Sequence, residues 1–432
     1  MHDFRYVNGR LHCEDVAVAA LVKKHGTPLY VYSQGTFTGN YARLTEAMAP
    51  LDHQICYAMK ANSNLAVLRL FARLGAGFDL VSGGELQRVI AADGDPRKCV
   101  FAGVGKSEDE IRAALKAGIY CFNVESVPEL ERINQLAGRL RKKAPVALRV
   151  NPNVDAHTHA KITTGTYENK FGIPFEDIPA LYAKAARMKH LRPRGLQMHI
   201  GSQLTETAPF VAAVRKVAPL VKELAERHGI EFFSIGGGLG IVYRPALASG
   251  ERRWWLRHDG QQALSPARYA AALKPLLEPL GVKILLEPGR YLTGNAGILV
   301  TRVEYVKESG RKRFVIVDAA MNDLLRPAMY DAYHEIIAVE RRARRTVVAD
   351  VVGPICETGD TFCRDRPLPN VQAGDHLAIL SAGAYGSVMS GTYNTRPLAA
   401  EVLVHRKRSA LVRARQPVEA VWAGEKPATW QK

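Results

Sequence analysis

Short apolar runs alternate with amphipathic stretches over most of this chain. Gln54-Ile55-Cys56-Tyr57-Ala58-Met59, Val146-Ala147-Leu148-Arg149-Val150, Gly195-Leu196-Gln197-Met198-His199-Ile200 and Val282-Lys283-Ile284-Leu285-Leu286-Glu287 each read as a buried strand. Between such runs the apolar residues return at helical spacing. Leu65, Leu68, Leu70 and Phe71 predict the apolar face of one helix, and residues 209–228 predict another that Gly229 closes. Repeated strand and helix over residues 30–295 predict a (β/α)8, TIM-like barrel, with a doubly wound open sheet as the alternative.

The texture changes after residue 296. Val300-Thr301-Arg302-Val303-Glu304-Tyr305-Val306 alternates with period two, and Phe314-Val315-Ile316-Val317-Asp318 and His376-Leu377-Ala378-Ile379-Leu380 are further strands. Turns separate them and helices are few, so residues 296–432 predict a β-rich C-terminal domain of sandwich or barrel type. Near the N-terminus, Tyr6-Val7-Asn8-Gly9-Arg10-Leu11 predicts a hairpin turning on Asn8-Gly9. Residues 1–29 precede the first barrel strand and are expected to join the β-rich domain. Pro28-Leu29-Tyr30-Val31-Tyr32 is a further strand.

A length of 432 residues suits two domains, and an apolar fraction of 47% lets both bury cores. No run is apolar and long enough to span a bilayer. The opening Met1-His2-Asp3-Phe4-Arg5 lacks the pattern of a signal peptide, so a cytoplasmic location is expected. The six cysteines are scattered, without a CxxC pair, which argues against structural zinc and for free thiols. The net charge of +17 sits partly in basic runs at 139–143, 341–345 and 406–408. None is interleaved with aromatics, so these read as solvated faces, and neither a nucleic-acid nor a membrane partner is expected.

Five segments carry the candidate chemistry. Lys60 follows the first predicted strand, in Tyr57-Ala58-Met59-Lys60-Ala61-Asn62, and so faces the mouth of an α/β fold. Among apolar neighbours its amine would lose some preference for charge and become a nucleophile. Asp79, in Phe78-Asp79-Leu80-Val81-Ser82-Gly83-Gly84-Glu85, ends the next strand, with Ser82 or Gly83 capping a helix. His199, in His199-Ile200-Gly201-Ser202-Gln203, is compatible with a core histidine or with one lying against a planar cofactor ring. Gly236-Gly237-Gly238-Leu239-Gly240 predicts a phosphate cradle of backbone N–H groups, to which a helix N-terminus can add its dipole. Glu287, in Glu287-Pro288-Gly289-Arg290, is compatible with an ion pair or with holding a proton on a heterocyclic nitrogen. The β-rich domain adds Arg326-Pro327-Ala328-Met329-Tyr330, Cys356-Glu357-Thr358-Gly359-Asp360 and Gly383-Ala384-Tyr385-Gly386. Arginine offers a planar fork for a carboxylate, and cysteine a transferable proton.

Taken with Thr164-Gly165, Asn169-Lys170-Phe171-Gly172-Ile173 and Gly391-Thr392-Tyr393-Asn394, these segments resemble the fold-type III pyridoxal-phosphate-dependent decarboxylases. Within them the closest resemblance is to the family acting on diaminopimelate, and it covers nearly the whole chain. It implies decarboxylation of meso-2,6-diaminopimelate to L-lysine and CO2, in lysine biosynthesis, with pyridoxal 5'-phosphate as cofactor. In that pattern Lys60 forms the Schiff base with the cofactor, His199 stacks on its ring and Glu287 pairs with its pyridine nitrogen. Ser202, Gly238, Gly289, Arg290 and Tyr385 hold the phosphate, with Asp79 in support. Cys356 is the general acid. Arg290, Arg326, Tyr330 and Tyr385 bind the amino-acid substrate, its carboxylate above all, and Glu357 binds the distal ammonium. The resemblance also implies a homodimer with shared active sites.

Competing expectations are a related decarboxylase of another carboxylated amino acid such as carboxynorspermidine, an alanine-racemase-like activity, and a pyridoxal-phosphate carrier. The paired arginines argue against the first, Cys356 against the second and the β-rich domain against the third. Two features depart from the family pattern: Val242 where proline is expected, and an insertion carrying Trp254 and Trp255.

Overall fold

The computed structural model describes residues 1–154 and 170–431. Thr164, Gly165 and Asn169, part of the family pattern, lie outside the described residues. By its internal contacts the chain forms two compact units. One comprises residues 37–242 and 252–293, the other residues 1–36, 243–251 and 294–432.

The first unit is a closed parallel barrel. Its strands are β1 (His53–Ala58), β2 (Gly77–Leu80), β3 (Cys99–Phe101), β4 (Cys121–Val124), β5 (Ala144–Asn151), β6 (Leu191–Gln197), β7 (Phe232–Ser234) and β8 (Lys283–Leu286). Pairing of β4 with β5 at Phe122 and Val146, and of β8 with β1 at Ile284 and His53, closes the ring and excludes the open sheet. The strands are short and nearly all apolar because the ring encloses one side and helices cover the other. Cys56, Val100, Cys121, Ala147, Phe232 and Leu285 form one buried cluster.

The helices follow their sequence signals with small corrections. Leu65–Arg73 starts at Asn64, whose side chain accepts from Ala66 N. Val67, Leu68 and Phe71 are its buried residues, whereas Leu65 is exposed because it opens the helix before the inward face begins. Ala208–His228 ends at Gly229 in the left-handed region, as its glycine predicted. The tryptophan insertion forms a short helix, Arg252–His258, in which Trp254 stacks on His258. Val242 is buried.

The second unit is β-rich. One sheet runs Thr361–Pro369, Thr346–Val352, Lys312–Val317, Gly297–Ser309, Leu29–Ser33, Ala400–His405 and Arg408–Arg413. Leu29–Ser33 pairs antiparallel with Gly297–Ser309 and parallel with Ala400–His405, so it belongs to this sheet. The strand His376–Ile379 pairs with Gly297–Ser309, and Ile336–Ala338 pairs with His376–Ile379. The N-terminal hairpin joins Phe4–Val7 to Arg10–Cys13, with Asn8 and Gly9 both at positive φ. Leu11, Val31, Ile298, Val300, Ala378 and Val402 share one core. Among the described residues no helix is long and apolar enough to cross a membrane.

Candidate active site

The C-terminal ends of the barrel strands carry the polar residues. Lys60 lies in a single 3-10 turn, Met59–Ala61, directly after β1. Its Nζ donates to Asp79 Oδ2 at 2.9 Å. The lysine side chain is 41% exposed and that of Asp79 is 2% exposed. This corrects the expectation of an apolar surround: the amine is held by a carboxylate and open to incoming groups. Asp79 reaches it because Ala58 and Asp79 are in register between β1 and β2. Ser82 caps the following helix by accepting from Glu85 N, as expected.

Glu287 follows β8 and is buried. Its Oε1 accepts from Ser234 Oγ at 2.7 Å and from Asn123 Nδ2 at 3.4 Å, and its Oε2 accepts from Gln197 Nε2 at 3.0 Å. Burial pushes the carboxyl up to about 7, aided by the charge of Asp79 and opposed by Ser234, Lys60 and Gln197. Sequence reading missed Asn123, Gln197 and Ser234. Their signal was a polar residue at the C-terminal end of an apolar run, in Phe122-Asn123, Leu196-Gln197 and Phe233-Ser234.

His199 stands two residues past β6, which ends at Gln197 rather than Ile200. Gly237 N donates to its Nδ1 at 3.3 Å. Burial, then Arg149 and Lys60, holds its imidazole well below the usual range, so it is neutral near pH 7. The glycine run is packed against backbone. A Cβ on Gly237 would meet the Glu287 carbonyl at 2.3 Å, and one on Gly238, at φ +105°, would meet the Gly201 carbonyl at 2.7 Å. No helix starts at this run. The expected dipole is therefore not available there. Arg290 is buried, and its Nη2 donates to Ser202 Oγ at 3.2 Å. Just before it, a Cβ on Gly289 would stand 3.1 Å from the Ala58 carbonyl oxygen, so this turn packs closely on the end of β1.

The β-rich unit places the remaining candidates. Arg326 and Tyr330 occupy the two ends of the helix Arg326–Tyr330; Arg326 is buried and Tyr330 half-buried. Cys356 and Glu357 are exposed on one tight loop. Asp360 staples that loop: its Oδ2 accepts from Ile355 N at 2.7 Å and its Oδ1 from Met321 N at 2.6 Å. The hydroxyl of Tyr393 donates to Glu357 Oε1. Tyr385 is half-buried at positive φ, before Gly386.

The barrel residues suit a phosphorylated pyridine aldehyde. Asp79 Oδ1, Asn123 Oδ1 and Gln197 Oε1 are buried with no hydrogen-bond partner among the described residues, which calls for a polar guest. An amine for a carbonyl carbon, a carboxyl near neutrality for a ring nitrogen, and an arginine beside close-packed glycines for a phosphate complete the donor set.

A barrel with this polar end suits an enzyme that works through a bound cofactor. Residues 34–294 match the family model "Pyridoxal-dependent decarboxylase, pyridoxal binding domain". The chain belongs to this family of pyridoxal-dependent decarboxylases; it is a carboxy-lyase with pyridoxal phosphate as cofactor. It is 49% identical to a diaminopimelate decarboxylase of Pseudomonas aeruginosa, over 98% of this chain and 99% of that one. Among solved structures it is similar to the diaminopimelate decarboxylase of M. jannaschii in complex with L-lysine, at 38% identity and TM-score 0.90 over 99% of both chains. The enzyme of Helicobacter pylori, also with L-lysine, matches at 39% identity and TM-score 0.87, over 94% of this chain and 98% of that one.

Proposed function

We propose that this chain decarboxylates meso-2,6-diaminopimelate, releasing CO2 and forming L-lysine, as a step of lysine biosynthesis. The observation that carries the reading is near-full-length identity of 49% to a relative of that name, over a site whose donor set suits the cofactor. Pyridoxal phosphate, when bound, supplies an electron sink for the electrons of the broken Cα–carboxylate bond.

In this reading the barrel holds the cofactor. Lys60 supplies the amine that anchors it, and Asp79 keeps that amine in place. Neutral His199 offers an uncharged ring face, with its Nδ1 engaged by Gly237. Glu287 keeps a proton on the ring nitrogen, a task suited to a carboxyl near 7. Ser202, Gly238, Gly289, Arg290 and Tyr385 take the phosphate. Further substrate recognition comes from Arg290 of the barrel and from Arg326, Tyr330 and Tyr385 of the β-rich unit, while Glu357 takes the distal ammonium. Cys356 delivers a proton to Cα once CO2 has left.

We also propose a cytoplasmic homodimer with shared sites, each cofactor being served by Cys356 of the partner subunit. Mixing Lys60→Ala and Cys356→Ala protomers then restores activity. Absence of restoration after verified subunit exchange would count against sharing.

The direct test incubates the protein and pyridoxal phosphate with meso-diaminopimelate, lysine, ornithine and arginine, and measures CO2 and amine product. Lysine from meso-diaminopimelate alone, lost in Lys60→Ala, is the expected result. Turnover of another member instead would overturn the roles of Arg326 and Glu357.

A further inference from the structure

We propose that His334 is a positioning residue for substrate selection: it fixes the guanidinium of Arg326 and thereby sets affinity for the carboxylate that the product retains. The inference rests on the assignment of Arg326 to that carboxylate. His334 is buried in the β-rich unit, and its Nδ1 lies 2.7 Å from the Leu380 carbonyl oxygen. A carbonyl oxygen only accepts, so Nδ1 carries the hydrogen and donates. Arg326 Nη1 lies 2.8 Å from His334 Nε2. A guanidinium only donates, so Nε2 must be the bare nitrogen that accepts. The two contacts together allow one tautomer, the neutral ring with hydrogen on Nδ1.

Other groups lock the pair. The ring of Tyr243 lies 4.9 Å from the Arg326 guanidinium carbon and meets the His334 ring edge-on at 5.4 Å. Arg366 donates to the His334 carbonyl oxygen and stacks on Tyr333 at 4.2 Å. The plane of Arg326 is therefore set by a buried acceptor and an aromatic face before any ligand arrives. Carboxylate recognition by arginine depends on that plane. Fixing it beforehand removes ordering cost from binding.

His334→Asn preserves a donor for the Leu380 carbonyl but is too short to accept from Arg326; His334→Gln offers an acceptor at the longer reach. The measurements are KM and kcat for meso-diaminopimelate, and inhibition constants for L-lysine and for cadaverine, a diamine without a carboxylate. We expect His334→Asn to raise KM and the L-lysine constant together, on the order of ten- to hundredfold. Cadaverine inhibition and the cofactor's visible spectrum stay unchanged, and His334→Gln recovers most of the loss. An equal shift for cadaverine would mark a merely structural role and overturn the proposal, as would a Gln variant no better than Asn. Arg326→Ala separates the two layers. If it leaves KM unchanged, the assignment of Arg326 falls and the proposal with it. If it raises KM and His334→Asn does not, the proposal alone falls.

Discussion

Lys60 Nζ and Asp79 Oδ2 stand 2.9 Å apart at the ends of adjacent barrel strands. The pair is unequal, one side chain 41% exposed and the other 2%. An ion pair open to water on one side adds little to stability, so its use is to place the amine. Asp79→Asn is expected to leave Tm within about 2 °C, because little net stability is removed. It should lower kcat/KM roughly tenfold by weakening a charge-assisted hydrogen bond. Thermal melts beside steady-state kinetics check this; a large fall in Tm with normal turnover would contradict it.

Glu287 makes stability depend on pH. Its carboxyl rises from 4.5 to about 7 on folding, chiefly through burial. Between those values the folded chain binds a proton that the unfolded chain has lost, so stability falls as pH climbs through the window. Glu85, also raised to about 7 by burial, contributes with the same sign, which makes the variant comparison necessary. Relative to the unsubstituted chain, cofactor-free Glu287→Gln should gain on the order of 3 kcal/mol between pH 4.5 and pH 7. Denaturant titrations at several pH values measure it; a pH-independent difference would reject the assignment.

Gly237 allows no side chain. An added Cβ would lie 2.3 Å from the Glu287 carbonyl oxygen, and backbone cannot step aside cheaply. Gly237→Ala is expected to cost about 2–4 kcal/mol of stability. It also disturbs the Gly237 N–H that His199 accepts. Cofactor affinity should fall at least about tenfold, as binding loses part of a preset geometry. Cofactor titration followed by absorbance tests this, with an unchanged affinity as the contrary outcome.

Asp360 holds Cys356 and Glu357 in place through Ile355 N and Met321 N. Asp360→Ala leaves both backbone donors without that carboxylate, at about 1–3 kcal/mol each if they stay buried. Turnover should fall more than Tm indicates, because the loop it staples carries the proposed acid. If kcat holds while stability drops, the loop does not deliver the proton.

Much of the barrel could be read locally. Apolar runs marked its strands, Gly229 marked a helix end, and Lys60, Asp79, His199 and Glu287 stood near strand termini as expected. The close-packed glycines were also visible as a run. Their lack of a following helix had one local sign, Pro245, which interrupts any helix begun at the run.

What the amino-acid order determined by itself was periodicity, capping and the residue types available for chemistry, all of which depend on neighbours a few positions apart. Only the tertiary structure decided which of them meet. Asn123, Gln197 and Ser234 converge on Glu287 from β4, β6 and β7. Strand spacing tells which residues share one side of a strand, but the register between strands is a long-range property of the closed ring. For the same reason Leu29–Ser33 found its partners in Gly297–Ser309 and Ala400–His405, about 270 and 370 residues later in the chain. His334 illustrates the point at one side chain. Its neighbours in sequence say nothing of its tautomer, which the Leu380 carbonyl and Arg326 together dictate.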